Sequence, residues 1–325
     1  MAQFLGIEIG GTKLQLGVGT GDGPPFTAFR RLDVDAARGA AGIRQQIEQA
    51  GREFLQEAPF QAVGFGFGGP INGPAGIVTT SHQIEGWDNF PLSEWCSKTL
   101  GVPTYLGNDC DMAALAEARF GGGRGKRSVF YVTVGTGVGG GLVLDGALFG
   151  SDRPAIAEIG HLRPGLEATE PTQTIESIAS GRGIEAGIRE VLAKSPANDR
   201  HAASLLEICN RDPRHLTGKL VADAAATGNP LARRVIDRAC QALGWGIAQV
   251  ITLLAVEVVI VGGGVSLAGE AVFFAPLRRH VHQYVFPPLR SSYEIVSAQL
   301  GEEVVVHGAV AMAAARYHAH ATTHR

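Results

Sequence analysis

Several short stretches gather residue types that hold phosphate, orient a divalent cation or move a proton. In "EIGGTK" (8–13), Gly10 and Gly11 let the backbone approach a ligand, Thr12 donates a hydroxyl hydrogen bond and Lys13 adds positive charge. Glu8 ends an apolar strand pattern. A carboxylate there can orient a Mg2+–water shell, and it equally suits an ordinary strand-edge glutamate. "GTGVGG" (135–140) repeats the design with Gly135, Thr136 and Gly137. It has the spacing of a dinucleotide fingerprint, but an alternating strand with an Asp-Gly turn follows where a helix would have to open. The pattern therefore predicts a hairpin turn able to hold phosphate. "GNDCDMAALAE" (107–117) puts Asn108 and Asp109 where a strand ends and a helix begins, the edge at which α/β sheets bind ligands. Asp109 can accept a proton from an attacking hydroxyl. Both residues are also ordinary helix caps, although Asp111 suits the cap equally well and would leave Asp109 for chemistry. "AEIGH" (157–161) and "TIESIASG" (174–181) add Glu158, His161 and Glu176, which suit sugar hydroxyls or a solvated surface. "VGGGV" (261–265), with Gly262, Gly263 and Gly264, ends a buried strand and predicts a helix start. Its glycines suit an approaching nucleoside or close strand–helix packing.

The elements that must position these residues follow from periodicity. Strands at about 4–9, 13–19 and 26–34 form a meander, and Ile43, Ile47, Ala50 and Phe54 mark one face of a helix at about 40–57. A strand at 62–71 ends in a Gly-Gly-Pro turn. Leu92, Trp95, Cys96 and Leu100 mark a short helix, 103–109 is a strand, and a further helix begins near Met112. The pattern then restarts at 128–150 with strand, glycine turn and strand. Helices follow near 174–192, 199–209 and 216–227, and a longer one starts at Asn229-Pro230, a cap followed by proline at the first helical position. A strand (256–265), helix (about 270–285), strand (292–298) and closing helix (307–317) complete the chain. The same opening thus occurs twice, about 125 residues apart. This predicts an α/β protein of two similar domains, 1–117 and 118–306, with helix 307–317 packing back on the first and the ligand in a cleft between them.

The whole chain of 325 residues carries a formal net charge of −3, which offers nucleic acid and anionic membranes no electrostatic attraction. No apolar run has the ~18–20 residues of a membrane helix, since Gln249, Thr252 and Glu257 break the longest. The opening "MAQFLGIEIGG" has no basic leader, so a soluble, cytoplasmic protein is expected. Cys96, Cys110, Cys209 and Cys240 are scattered, as reduced and mostly buried thiols would be. The 45 glycines fall largely in short bursts, as turns and close approaches require. The tail "RYHAHATTHR" (316–325) is expected to fray.

Taken in order, "GIEIGGTK", "GFGFGGPING", "GWDNFPL", "NDCDMAALAE", "VTVGTGVGGGLVLDG", "AEIGH", "IESIASG" and "VVIVGGGVS" resemble the ROK family of sugar kinases and repressors, over nearly the whole chain. The resemblance implies two duplicated actin-like (ribonuclease H-like) α/β domains around an ATP and sugar cleft. It implies an ATP-dependent hexose kinase, glucokinase-type, with Mg2+-ATP as co-substrate and a homo-oligomeric state, dimer or tetramer. It puts Gly10, Gly11, Thr12 and Lys13 on the first phosphate motif, Gly135, Thr136 and Gly137 on the second, and Gly262, Gly263 and Gly264 near the adenosine. Asp109 falls on the general base. Asn108, Glu158, His161 and Glu176 fall on hexose ligands, with Gly69 and Pro70 beside the sugar.

Two positions depart from the family pattern. Glu8 replaces the usual aspartate of the first phosphate motif, and its carboxylate still reaches towards a Mg2+ shell. The interval "LRPGLEATEPTQTI" (162–175) has no cysteine where many members carry a zinc motif, so no structural zinc is expected and His161 needs another partner. Fructokinase and N-acetylhexosamine kinase are the enzymatic alternatives. A non-catalytic sugar sensor is disfavoured by the intact motifs, and with the phosphate motif so early no DNA-binding domain is expected before it.

Overall fold

The computed structural model describes residues 1–81, 83–153 and 155–323, with side chains through residue 320. The chain divides into two compact units. One comprises Met1–Val129, Gly141–Ile156 and the chain from Ala298 onward; the other comprises Phe130–Gly140 and Ala157–Ser297.

The first unit begins as the alternation predicts, with β1 (Phe4–Ile9), β2 (Lys13–Gly19) and β3 (Ala28–Asp33) in an antiparallel meander. Helix α1 (Gly39–Glu57) buries Ile43, Ile47, Ala50 and Phe54, the face expected of it. The strand expected at 62–71 ends earlier: β4 spans Val63–Phe67, and a small hairpin of β5 (Ile71–Asn72) and β6 (Ile77–Val78) follows. Helix α2 (Leu92–Leu100) leads to β7 (Thr104–Asn108), and α3 (Asp109–Phe120) opens directly from it. The strand order is β3-β2-β1-β4-β7, with β1, β4 and β7 mutually parallel. All strand residues of β4 are buried, and the apolar side chains of α1 and α2 close one sheet face.

The later strands repeat this order. Strands β8 (Ser128–Val134) and β9 (Val138–Leu144) form the second glycine hairpin, and β10 (Ala147–Leu148) pairs antiparallel with β9. Helices α4 (Glu176–Ala179), α5 (Gly181–Lys194), α6 (Arg200–Ile208), α7 (Gly218–Ala226) and α8 (Pro230–Leu254) precede β11 (Val258–Gly262). The helix expected across 174–192 is interrupted, because Ser180 is extended and caps α5. Asn229 caps α8 as predicted, accepting from the Leu231 and Ala232 N–H groups ahead of Pro230. Helix α9 (Ala275–Tyr284) leads to β12 (Glu294–Ser297), and the sheet order is β10-β9-β8-β11-β12. In each sheet the third, second, first, fourth and fifth strands lie side by side. The duplication inferred from the glycine turns is thus a duplication of topology, and the fold is mixed α/β.

The last helix, α10 (Val304–Thr323), extends into the segment expected to fray, as far as Thr323, and lies on the first sheet. A Cβ at Gly6 would lie 2.5 Å from the Val306 carbonyl oxygen, and one at Gly64 would strike that of Ala309. Strand glycines thus let a helix backbone sit directly on the sheet. Val310, Ala313 and Ala314 bury against Phe4 and Ala62, and the Tyr317 and His318 rings contact Phe4 at centroid distances of 5.6 and 5.7 Å. That apolar and aromatic contact holds the terminus in helix; residues 324–325 lie outside the described ones.

Candidate functional site

In the first unit, three parallel strands deliver their ends to one edge. Ile9 is in register with Phe67, and Phe67 with Asn108, so the turns after β1, β4 and β7 start level with one another. The chemistry-bearing residues of the first phosphate motif, the Gly-Gly-Pro turn and the Asn-Asp pair follow from those three strand ends.

The turn after β1 is tight: the Gly10 N–H donates to the Lys13 carbonyl at 3.0 Å. Thr12 is exposed at its tip. Gln83, which the sequence analysis did not single out, packs against Gly11 where a side chain would otherwise project. Lys13 does not reach freely outward. Its Nζ donates to Gln15 Oε1 at 3.0 Å and to the Glu302 carbonyl at 3.3 Å, and lies 3.5 Å from Glu8 Oε2. The Glu8 side chain is only 12% exposed, and its Oε2 is buried without a hydrogen-bond partner. Burial pushes the Glu8 carboxyl up to about 7. Lys13 opposes that shift, while the charges of Asp109 and Glu302 add to it.

Asn108, rather than Asp111, caps α3: its Oδ1 accepts from the Cys110 N–H at 2.8 Å. The strand-end φ and ψ of Asn108 suit that role, and its Nδ2 turns to the Gly69 carbonyl at 3.4 Å. Asp109 is the first helical residue and also accepts from the Cys110 N–H, at 2.9 Å to Oδ1. A Cβ on Gly68 would stand 3.2 Å from Asp109 Oδ2 and 3.6 Å from the Ile9 carbonyl, so the carboxylate lies against the bare backbone of the neighbouring turn. Gly68 was legible only as part of "GFGFGGP". Pro70 is exposed, and its carbonyl accepts from the Thr79 N–H at 3.0 Å. Trp87 and Leu92 of "GWDNFPL" are core residues, with Trp87 edge-on to Phe67 at 5.5 Å.

In the second unit, the Gly135 N–H donates to the Gly137 carbonyl at 2.9 Å across the hairpin turn, and the Gly181 N–H donates to the Gly135 carbonyl at 2.8 Å. Thr136 is exposed. Glu176 Oε2 accepts from the Val138 N–H at 2.8 Å, and a Cβ on Gly137 would meet that oxygen at 2.6 Å. A side chain at Gly137 would displace the Glu176 carboxylate, whereas Gly135 faces open space. Glu158 follows Ala157, whose φ of +57° is a left-handed conformation rare outside glycine and asparagine. Glu158 and His161 bracket the single 3-10 turn Ile159–His161. Burial raises the Glu158 carboxyl, His161 opposes the shift and the Glu176 charge adds to it, which puts all three in one electrostatic neighbourhood.

The glycines after β11 separate into two kinds. A Cβ on Gly263, at φ +86°, would lie 2.5 Å from the Val134 carbonyl oxygen, so this glycine is needed for β8–β11 packing. Gly264 has no neighbour within 4 Å of such a Cβ. The segment opens a 3-10 turn, Gly264–Ala268, and a π turn, Glu270–Phe274, instead of the expected α-helix. Ser266 holds that turn through a 2.7 Å bond from its hydroxyl to the Gly263 carbonyl. Among the described residues there is no cluster of three or more His, Cys, Asp or Glu side chains able to hold a metal ion, and no helix long and apolar enough to cross a membrane.

Curated relatives align along almost the whole chain. The glucokinase of Thermotoga maritima is 32% identical over 318 residues, covering 95% of this chain and 96% of that protein. The glucokinase of Streptomyces coelicolor is 31% identical over 325 residues, covering 96% and 98%. Among solved structures, the ROK family glucokinase from Streptomyces griseus, in complex with glucose and AMPPNP, has a TM-score of 0.78 at 29% identity, covering 96% of this chain and 99% of that one. The ROK hexokinase from Thermus thermophilus has a TM-score of 0.80 at 26% identity, covering 98% and 99%. The ROK family profile matches residues 4–316, and the chain belongs to the ROK family.

Proposed function

We propose that this ROK-family sugar kinase transfers the γ-phosphoryl group of ATP to the primary hydroxyl of a hexose, glucose foremost, with Asp109 as general base. The observation that carries the reading is the level ending of β1, β4 and β7, with the Asp109 carboxylate against Gly68 and the phosphate-type turn two strands away. Glucokinases at about 30% identity over nearly the full chain support glucose as substrate. In this reading Asp109 takes the proton as the sugar oxygen attacks phosphorus. The rest of catalysis is positioning and charge stabilisation.

Gly10, Gly11, Thr12 and Lys13 form one phosphate turn, and Gly135, Thr136 and Gly137 the other. Gly262, Gly263 and Gly264 serve the adenosine. Asn108, Glu158, His161 and Glu176, with Gly69 and Pro70, serve the sugar. Glu8 fits the ion of Mg2+-ATP, because a buried carboxylate oxygen without a hydrogen-bond partner is what a hydrated divalent cation would satisfy. Bound there through water, Mg2+ would supply charge neutralisation to the phosphates. With 162–175 free of cysteine, we expect no structural zinc. We also assign the two functional domains as 1–117 with helix 307–317, and 118–306, in a cytoplasmic homo-oligomer, dimer or tetramer, which sedimentation velocity tests.

A coupled ADP-release assay over a hexose panel tests the activity. Glucose should give the highest kcat/KM. Higher kcat/KM for fructose or an N-acetylhexosamine would replace glucose in the assignment, and ADP release independent of sugar would overturn the kinase reading.

A further inference from the structure

The second unit carries a basic cavity that shares no residue with the candidate site. It measures about 540 Å3 and is lined by Arg278, Arg279 and His282 of α9, by Arg290 and Tyr293 of the following loop, and by β12. That volume is in the range of small-molecule sites. The segment 276–294 holds three arginines and two histidines against one glutamate, in a chain whose formal net charge is −3. The cationic character is therefore local.

The three arginines differ in what already holds them. Arg278 donates from Nε to the Ile295 carbonyl at 2.9 Å and from Nη1 to Glu270 at 2.5 Å. Arg279 donates from Nη2 to Asp237 at 2.5 Å. Both are fixed in place, with further N–H groups left over. Arg290 is anchored only through Nε, to the His282 carbonyl at 3.2 Å, and has no carboxylate partner among the described residues. Its guanidinium edge is the uncommitted element of the cavity. Burial raises the Tyr293 phenol, with Arg290 opposing, so Tyr293 is a neutral hydroxyl donor beside that guanidinium. β12 is an edge strand, so one side of its backbone is outside the ladder. Glu294 is the one acidic residue of the lining; its charge repels anions, and three arginines stand against it.

We propose that this cavity is a binding site for a small phosphate-bearing anion. Arginine presents a planar fork that matches phosphate oxygens in pairs, and two buttressed arginines, one uncommitted arginine and a phenol donor line this one cavity. Such a ligand can come from a soluble phosphate, a phosphate ester or a lipid headgroup.

Isothermal titration calorimetry of the full chain with pyrophosphate, inorganic phosphate and glucose 6-phosphate tests this, alongside co-sedimentation with phosphatidylcholine vesicles containing phosphatidic acid. Arg290→Ala should weaken the soluble phosphates by about tenfold or more, the loss of a hydrogen-bonded charge pair. Arg290→Lys should restore part of that, and Arg124→Ala, a substitution in the first unit, should change nothing. Because Arg290 makes no carboxylate pair, its replacement should leave the melting temperature unchanged. Equal binding by wild type and Arg290→Ala would overturn the proposal, as would binding of vesicles without binding of the soluble phosphates.

Discussion

Glu8 holds its carboxylate in a place where ionisation is costly, and this makes it the most informative single residue beside the turn after β1. Its group ionises at about 7 when folded, above the ordinary 4.5. Below about pH 4.5 it is protonated in both states and costs nothing. As pH rises to about 7 the unfolded chain releases the proton first, so folding stability falls through that window and stays lower above it. Glu8→Gln should therefore melt at the wild-type temperature at pH 4.5 and above it at pH 8, measured by calorimetry without nucleotide. Equal shifts at both pH values would contradict the burial argument. The sequence offered Glu8 as a strand-end carboxylate near a phosphate turn, and its departure from the family's aspartate was visible. That its Oε2 makes no hydrogen bond and has Lys13 only at 3.5 Å was not, because Lys13 is drawn to Gln15 and the Glu302 carbonyl. Periodicity says nothing of a partner 289 residues away.

At the scale of elements, the glycines show what a motif alone leaves undecided. "VGGGV" suits both close packing and a nucleoside; packing claims Gly263, and Gly264 is left open for the nucleoside we propose. Gly263→Ala meets Val134 backbone at a positive φ and should destabilise by about 2 kcal/mol or more, read as a lower melting temperature. Gly264→Ala meets nothing and should keep the wild-type melting temperature while raising KM for ATP severalfold. The reverse pattern would contradict the division. Helix α3 offers a second case. Glu117 is fully buried, and its carboxylate accepts from the Gln299, Leu300 and Gly122 N–H groups at 2.7, 2.9 and 2.9 Å. It ties the helix to a turn and to a segment far along the chain. Glu117→Ala should cost about 2–4 kcal/mol in denaturant unfolding, since three part-buried N–H groups lose a charged acceptor. In the sequence Glu117 looks like one polar position in "MAALAE", for the same reason Lys13 looked free. Local patterns gave the positions of β1, β2, α1 and the α8 cap closely, because each rests on neighbours a few residues apart.

At the scale of the whole molecule, the repeated glycine hairpin was enough to predict two sheets of one topology, and the strand orders agree. The first unit's discontinuous make-up was less legible. Residues 141–156 and the chain from Ala298 join it through packing such as α10 on Gly6 and Gly64, and strand glycines look like weak strand formers until the helix that needs them is known. The absence of cysteine from 162–175 gives a further expectation: elemental analysis of active protein should find no stoichiometric zinc, and zinc lost together with activity on chelation would contradict it. In the proposed mechanism, the Asp109 carboxylate after β7 accepts the sugar's proton during phosphoryl transfer. Steady-state kinetics of Asp109→Asn with glucose and Mg2+-ATP tests it most directly. The variant should show kcat lowered by about 10²-fold or more, with an unchanged melting temperature and a glucose KM within a few-fold of wild type. A folded Asp109→Asn variant that phosphorylates glucose at near the wild-type rate would contradict it.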